Sequence, residues 1–274
     1  APAAWLPEAG KPAPRVALYE PYNANMDTGW TAWVLDNFQI RHTLLHNEDI
    51  GGGNLRARFD AIILAQQSMS SILHGTRQGE GSGRADGQSA GDANNLQRPE
   101  FTGGIGLTGA RNLQEFVEQG GTLLAFDSAT ELPMALFPIG VRGVLRGGEG
   151  ESGGWYCPGS ILRITTDPAH PVAAGMPKDV YATSTGGQAF EISILPAFNQ
   201  GEREVKIVAW YAKKDLLASG WLSGERAVAG KAAVVDARLG KGHVVLYGFR
   251  PQFRGQSFGT FRLILNALYR SAVN

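Results

Sequence analysis

The sequence predicts an α/β domain with a mostly parallel central sheet flanked by helices. Short apolar runs at 15–20, 60–65 and 122–126 are typical of buried strands. Between such runs lie segments whose apolar residues recur at three- and four-residue steps, the period of an amphipathic helix. Because parallel neighbours need a long crossover, strands that alternate with helices favour right-handed βαβ units and parallel pairing.

The remaining elements extend this pattern along the chain. Thr108 is a favourable N-cap and Gly120 a C-cap signal, and together they predict a helix over 109–119. The apolar runs at 231–236 and 243–248 flank a turn that contains Gly and predict a β-hairpin. Further strands are predicted at 42–46, 160–165 and 205–211, and further helices at 29–38, 131–137 and 257–272.

Composition also indicates how the chain is organised. Prolines in residues 1–14 predict an extended lead-in or linker, which leaves residues 15–274 as one domain. Residues 75–95 are rich in Gly, Ser and other polar residues and predict a long surface loop. From about 139 to 201 the pattern is irregular, so we expect an insertion that contains β-structure and packs beside the sheet.

Net charge and cysteine content argue against several broad classes. The 274 residues carry 25 Lys and Arg against 25 Asp and Glu, so no general attraction to nucleic acid or to an anionic membrane is expected. No apolar run approaches the roughly 20 residues of a membrane span. The single cysteine, Cys157, cannot form an intramolecular disulfide and is expected to be buried and structural. The first residues lack the features of a signal peptide and fit a mature N-terminus or an excised domain.

Ligands of open α/β sheets bind at the carboxyl ends of the strands. Four segments follow predicted strands and are expected on that edge, namely 20–28, 66–70, 127–131 and 249–256. A ligand site, if the domain has one, is therefore predicted among these segments.

The sharpest strand-to-helix turn of the chain is Asp127-Ser128, directly after the strand at 122–126. An elbow at this place presents its side chain near helix N–H groups. Ser128 or Asp127 could therefore act as a nucleophile if a base lay within reach. The favoured alternative is that one of them caps the helix that begins near Glu131, because no G-x-S-x-G motif surrounds the turn.

Other polar side chains fall on the same predicted edge. Arg250 and Arg254 follow a late strand and precede the last helix, where they could hold a carboxylate or a phosphate. They could equally pair with Asp27 or Asp127 across the edge. This structural ion pair is the favoured interpretation, because buried charges need partners. The predicted ligand-binding residues are Glu20, Asp27, Glu131, Arg250, Gln252 and Arg254.

Cofactor signals are weak. None of the five histidines belongs to a zinc-binding motif, so no metal ligand is predicted. Calcium stays open only because Asp27, Asp127 and Asp236 could gather on one edge, although no Asp-x-Asp-x-Asp-Gly loop is present. No other cofactor is predicted.

Four longer runs are informative together: Val16-Ala-Leu-Tyr-Glu-Pro-Tyr-Asn-Ala-Asn-Met-Asp-Thr-Gly-Trp-Thr, Phe126-Asp-Ser-Ala-Thr, Tyr156-Cys-Pro-Gly-Ser-Ile-Leu and Gly248-Phe-Arg-Pro-Gln-Phe-Arg. They resemble a domain that lies C-terminal to the peptidase domain in bacterial zinc-carboxypeptidase-like proteins. The resemblance extends from about residue 15 to about residue 270. That domain is similar to the class I glutamine amidotransferases, which implies a flavodoxin-like sheet.

The same resemblance implies that the chain lacks amidotransferase activity. Active members of that class carry a cysteine on the elbow and a His-Pro-Glu-like run after a late strand. This sequence has Asp127-Ser128 and Arg250-Pro251-Gln252 at the matching positions, so both halves of the Cys-His-Glu triad are missing. The zinc motif of the peptidase is absent as well.

These observations lead to one favoured hypothesis and two alternatives. The favoured one is an accessory or ligand-binding domain without glutaminase activity, whose partner is a peptidase domain or a small molecule. The resemblance implies a periplasmic or secreted location, while a cytoplasmic one stays open. The first alternative is a hydrolase of a small ester, lactone or amide that uses the strand-end cleft, with or without a metal ion. The second is a self-associating module with an interface of tryptophans, namely Trp30, Trp155, Trp210 and Trp221.

Overall fold

The structure is a computed structural model that describes residues 13–22, 25–75, 102–145, 154–193 and 204–273. Within these residues, the centre of the protein is a twelve-stranded sheet. Its strands are β1 (Val16–Tyr19), β2 (His42–Leu45), β3 (Ala61–Leu64), β4 (Thr122–Phe126), β5 (Val141–Gly143), β6 (Ser160–Thr166), β7 (Asp179–Ser184), β8 (Phe190–Ile192), β9 (Val205–Tyr211), β10 (Leu217–Ser219), β11 (Ala232–Leu239) and β12 (Gly242–Tyr247). The helices are α1 (Met26–Asn37), α2 (Asn47–Gly51), α3 (Leu55–Arg58), α4 (Met69–His74), α5 (Gly106–Glu118), α6 (Glu131–Leu136) and α7 (Phe258–Ser271). Most of the predicted lead-in and of the predicted loop at 75–95 lies outside the described residues.

The sheet has a parallel and an antiparallel part. Neighbours in the order β2-β1-β3-β4-β12 are all parallel, which confirms the predicted α/β class with its parallel central sheet. The hairpin from β12 to β11 reverses direction, and the order continues antiparallel through β9, β6 and β10. Strands β5 to β8, which belong to the predicted insertion, pair within this antiparallel part instead of packing beside the sheet. The domain boundaries themselves stay a prediction.

Burial on both faces explains the apolar runs of the parallel strands. Residues of β1, β3 and β4 are buried without exception, and alternate residues point to opposite layers. Val16 and Leu18 pack in one core layer, which also includes apolar residues of α1 and α7. Ala17 and Tyr19 pack in the other, which includes apolar residues of α2 to α6. The parallel sheet is therefore covered by helices on both faces.

Two helices begin earlier than predicted. α1 begins at Met26 and not at 29, because Asn25 is its N-cap and accepts hydrogen bonds from the N–H groups of Asp27 and Thr28. α5 begins at Gly106, so Thr108 lies inside the helix and does not cap it. The start of α5 is fixed by a tertiary contact, since the Ile105 N–H donates to the Ile72 carbonyl at 2.9 Å.

A buried ionic network fastens the last helix to the sheet. Asp236 of β11 is 3% exposed and lies beside His243 Nδ1 at 2.8 Å, His170 Nε2 at 3.3 Å and the guanidinium of Arg270 on α7. His170 Nδ1 accepts the Val172 N–H, so its Nε2 carries the proton and donates to Asp236. Burial alone would raise the pKa of Asp236, but these donors and charges outweigh burial and hold that pKa well below its usual range.

Among the helices in the described parts of the chain, none combines the length and the apolar character that crossing a membrane requires.

We expect Asp236→Asn to lower the free energy of unfolding by about 3–5 kcal/mol at pH 7, because it leaves Arg270 without its buried carboxylate. Urea unfolding measures this difference, and Asp179→Asn at an exposed position of β7 is the control, expected within about 0.5 kcal/mol of the wild type. The lowered pKa means that the Asp236 contribution is present above the unfolded pKa of about 3.9 and is lost as the pH falls further. A difference that stayed constant from pH 7 to pH 3 would contradict the charged state of Asp236.

Candidate ligand-binding cleft

A cleft of about 460 Å³ opens at the carboxyl ends of the parallel strands β1, β3 and β12. This is the edge where open α/β sheets bind ligands. Of the four segments predicted on this edge, the first, the second and the last line the cleft. The lining residues are Pro21, Asn25, Met26, Asp27, Trp30, Gln66, Gln67, Ser68, Ser71, Arg250, Phe253 and Arg254.

Asn25 fixes one side of the cleft. Its side-chain oxygen caps α1, and its Nδ2 donates to the Gln66 carbonyl at 3.0 Å. The N-terminus of α1 is thereby tied to the segment after β3. The first turn of the helix, with Met26, Asp27 and Trp30 along it, consequently faces the cleft.

The predicted elbow is present and its backbone is unusual. Asp127 follows β4 with a φ of 53°, a left-handed conformation that is uncommon for a residue other than Gly. It begins a short 3-10 helix, Asp127–Thr130, that leads into α6. The expectation that Asp127 or Ser128 caps this helix is wrong, because Thr130 is the N-cap residue and no side chain caps α6. The Asp127 side chain is engaged elsewhere.

Arg250 joins two buried carboxylates. Its Nη1 donates to Asp27 Oδ2 at 3.1 Å, and its Nε donates to Asp127 Oδ2 at 3.4 Å. Asp27 and Asp127 are 6% and 5% exposed, so both depend on this cation for charge compensation. Gln252, which is fully buried, donates from Nε2 to the other oxygen of Asp27 at 3.3 Å. The expected ion pair across the sheet edge is confirmed for Arg250 with both aspartates.

The two carboxyl groups have perturbed pKa values. Burial raises the pKa of Asp127 to about 6, although Arg250 and the Ser128 N–H act in the opposite direction and Asp27 adds repulsion. Burial likewise raises the pKa of Asp27, against the charges of Arg250 and Arg254. A carboxyl group of this kind beside a cleft is suited to proton transfer near neutral pH.

Ser128 lacks the partner that a nucleophile needs. Its hydroxyl accepts a hydrogen bond from Gln66 Nε2 at 3.0 Å. Within the described residues no histidine contacts it, and Ser128 does not line the cleft. An amide donor holds the hydroxyl in place but cannot take up its proton.

The other predicted site residues are dispersed around the cleft. Arg254 lines it, while Gln252 lies beneath it. Glu20 pairs with His46 at 3.9 Å, and Glu131 is exposed at the first turn of α6. Neither glutamate lines the cleft, so these two predicted ligand-binding positions are not brought together with the rest.

Trp30, Asn25, Gln66 and Phe253 line the cleft but were not predicted as site residues. For Asn25, the signal was present, since an Asn before a helical segment is a favoured N-cap. Trp30 is named from the sequence only as part of a tryptophan interface, because helical periodicity does not show which end of a helix a ligand reaches.

The tryptophans considered for a self-association interface differ in their exposure. Trp30 faces the cleft, Trp155 is buried and Trp221 is 60% exposed. These side chains therefore do not form one exposed surface.

Metal ligands are not gathered in the described part of the chain, where no group of three or more His, Cys, Asp and Glu side chains is placed to hold an ion. Asp236 lies in the network with His170 and Arg270 and not beside Asp27 and Asp127, so the three aspartates considered for calcium do not converge.

Cys157 is 2% exposed, and its thiol donates to the Ser184 carbonyl at 3.4 Å, as expected for a structural cysteine.

The fold of this chain is similar to that of solved proteins with a glutamine amidotransferase-like fold. A ThuA-like protein from Bacteroides uniformis is similar to this chain with a TM-score of 0.53 and 11% identity, covering 98% of this chain and 94% of its own. A cytoplasmic protein from Salmonella typhimurium has a TM-score of 0.52 and 13% identity, over 93% of this chain and 97% of its own. A GMP synthase-like protein from Thermoplasma acidophilum has a TM-score of 0.51 and 9% identity, over 95% of this chain and 94% of its own. No protein-family model and no curated protein matches the sequence.

We expect Asp127→Asn to remove part of the pH dependence of stability. A folded-state pKa near 6 means that the contribution of this group is complete below the unfolded pKa of about 3.9 and is lost as the pH rises through 6. Between pH 4 and pH 7 the wild type should therefore lose on the order of 2 kcal/mol that the variant keeps, since one pKa unit corresponds to about 1.4 kcal/mol and part of the shift lies below pH 4. Urea unfolding at several pH values measures the difference. Equal slopes in wild type and variant would show that Asp127 is charged throughout.

Proposed function

We propose that this chain is a ligand-binding domain with an amidotransferase-like fold and without glutaminase chemistry. The observation that carries the proposal is the ion pair between Asp127 of the elbow and Arg250. Asp127-Ser128 is the elbow where the resemblance expects a cysteine, and the Asp127 carboxylate is held by Arg250. Arg250 itself stands in the late segment where a histidine would be expected. An ion pair thus joins the two segments where the resemblance expects the cysteine and the histidine.

The cleft beside this ion pair supports a binding role. Trp30, Phe253 and Met26 supply apolar surface, and the amide of Gln67 and the guanidinium of Arg254 supply polar groups. A concave site with aromatic lining and a few convergent polar groups is typical of small-molecule binding. The elements that build it are tied together by hydrogen bonds, which favours a preformed site.

A thermal-shift screen of small metabolites tests the proposal. We expect hits that raise the unfolding midpoint of the wild type and of Trp221→Ala but not of Trp30→Ala. Trp221 is an exposed tryptophan that packs on Tyr156, outside the cleft, and is the matched control. Glutamine hydrolysis, followed by ammonia release, should stay at the level of the blank.

Two results would overturn the proposal. Turnover of glutamine by the purified chain would show a glutaminase with another set of residues. Hits that bind Trp30→Ala as well as the wild type would place binding elsewhere on the molecule.

The alternative is a hydrolase of a small ester, lactone or amide, and one observation favours it. Asp127 combines a left-handed backbone with a pKa raised to about 6, and strained residues with perturbed pKa values concentrate at active sites. In this alternative, Asp127 is the general base once a ligand has displaced it from Arg250.

For the hydrolase alternative, Asp127→Asn should lower the turnover of a p-nitrophenyl ester or lactone by about a hundredfold or more. The wild-type kcat/KM, which reports the free protein with Asp127 on Arg250, should rise with an inflection near pH 6, because the carboxylate form is the base. Ser128→Ala separates a nucleophilic serine from this mechanism, and chelator sensitivity separates a metal-assisted one. Absence of wild-type turnover, or unchanged turnover in both variants, would remove this edge as a hydrolytic site.

The association with a peptidase domain and a periplasmic or secreted location are likewise proposed on the resemblance alone. Cell fractionation of the native host and co-purification with a zinc carboxypeptidase test them. Recovery in the cytoplasm without a peptidase would overturn both.

A further inference from the structure

Two arginines of the segment after β12 lie in different electrostatic surroundings. Arg250 is compensated by Asp27 and Asp127. Arg254 is exposed, lines the cleft and forms no ion pair with any residue that the structure describes. The charge of Arg254 nevertheless acts on the cleft wall: burial raises the pKa of Asp27, and the positive charge of Arg254 opposes that rise.

Arg254 is held in a strained conformation. Its φ of 48° and ψ of 28° are left-handed, and its guanidinium lies 5.3 Å from the centroid of the Phe253 ring. Neighbouring contacts hold the turn, because Gly255 packs closely on the Trp33 ring and the Thr260 hydroxyl donates to the Pro251 carbonyl at 2.6 Å. Such strain in a residue other than Gly is typical of ligand-binding positions.

The most exposed charged group on the cleft wall is a cation, Arg254. Both carboxylate oxygens of Asp27 are occupied, one by Arg250 and the other by Gln252. Because Arg250 already forms ion pairs with both aspartates, Arg254 is the cation on this wall that can bind a ligand. One guanidinium matches one carboxylate through two parallel hydrogen bonds, whereas a doubly charged phosphate would lack a second cation.

The other residues of the cleft wall indicate the shape and polarity of the remaining part of the ligand. Trp30 and Phe253 offer aromatic surface, and the cleft volume of about 460 Å³ is in the range of small-molecule sites. Aromatic lining favours a ring or another flat apolar body over a short, fully polar acid.

We propose that the cleft binds a small monocarboxylate that carries a ring, with its carboxylate on Arg254 and its ring against Trp30 and Phe253. This inference rests on the proposed ligand-binding function and narrows it to a chemical class. Arg254 is then the residue that selects acids over neutral analogues.

Isothermal titration with matched pairs tests this class. The probes are phenylacetate with phenylacetamide, and hippurate with hippuramide, which differ only in the charged group. We expect the acids to bind about tenfold to a hundredfold more tightly than the amides, the range of a hydrogen-bonded charge pair.

The variant Arg254→Gly separates binding from stability. It removes the guanidinium and relieves the left-handed strain, so we expect a higher unfolding midpoint together with loss of the preference for acids. Arg254→Gln should lose the preference without the gain in stability. Arg238→Gln, at an exposed arginine of β11 beside the turn to β12, is the control and should bind like the wild type.

The outcomes distinguish this inference from the function it rests on. Equal binding of acids and amides, reduced by Trp30→Ala, would overturn the carboxylate class and leave the ligand-binding cleft in place. Binding of acids that persists in Arg254→Gln would overturn the assignment of Arg254. If no probe binds, the proposed class of ring-bearing monocarboxylates is overturned. The metabolite screen with Trp30→Ala then tests separately whether the cleft binds a ligand.

Discussion

The bridge from Arg250 to Asp27 and Asp127 is the interaction on which this edge of the protein depends. It joins the first turn of α1, the elbow after β4 and the segment after β12, which are far apart in sequence. Two carboxylates this deeply buried would repel each other and lose their hydration without a shared cation. The guanidinium fork meets both from one side chain, which a lysine ammonium could not do in the same planar geometry.

The same bridge divides the edge into a closed and an open part. On the closed side, Asp127 is held away from solvent at the elbow after β4. On the open side, α1 and the turn at Arg254 leave a cleft with aromatic walls. Arg254 remains available there because Arg250 has taken both acids.

Much of the fold was predictable from local patterns. The buried strands at 60–65 and 122–126, the hairpin before β12 and the last helix follow from apolar runs, turn residues and helical spacing, and all are present. The start of α1 was placed too late although Asn25 is a favoured N-cap residue, and the start of α5 was not predictable because a contact of Ile105 with α4 decides it. The pairing of β5 to β8 into the main sheet was also missed, since irregular strands carry no signal for their partners.

For the site, the sequence by itself determined which chemical groups reach the strand-end edge: Asp27, Asp127 and Arg250 were expected there because parallel strands share a carboxyl edge. It also determined that the elbow carries no cysteine. Only the tertiary structure decided that Arg250 binds both aspartates, that Asp236 belongs to a different network, and that Trp30 and Arg254 face a common cleft. The physical reason is that ion pairing and burial are set by distances between segments, and the spacing of residues along the chain does not contain those distances.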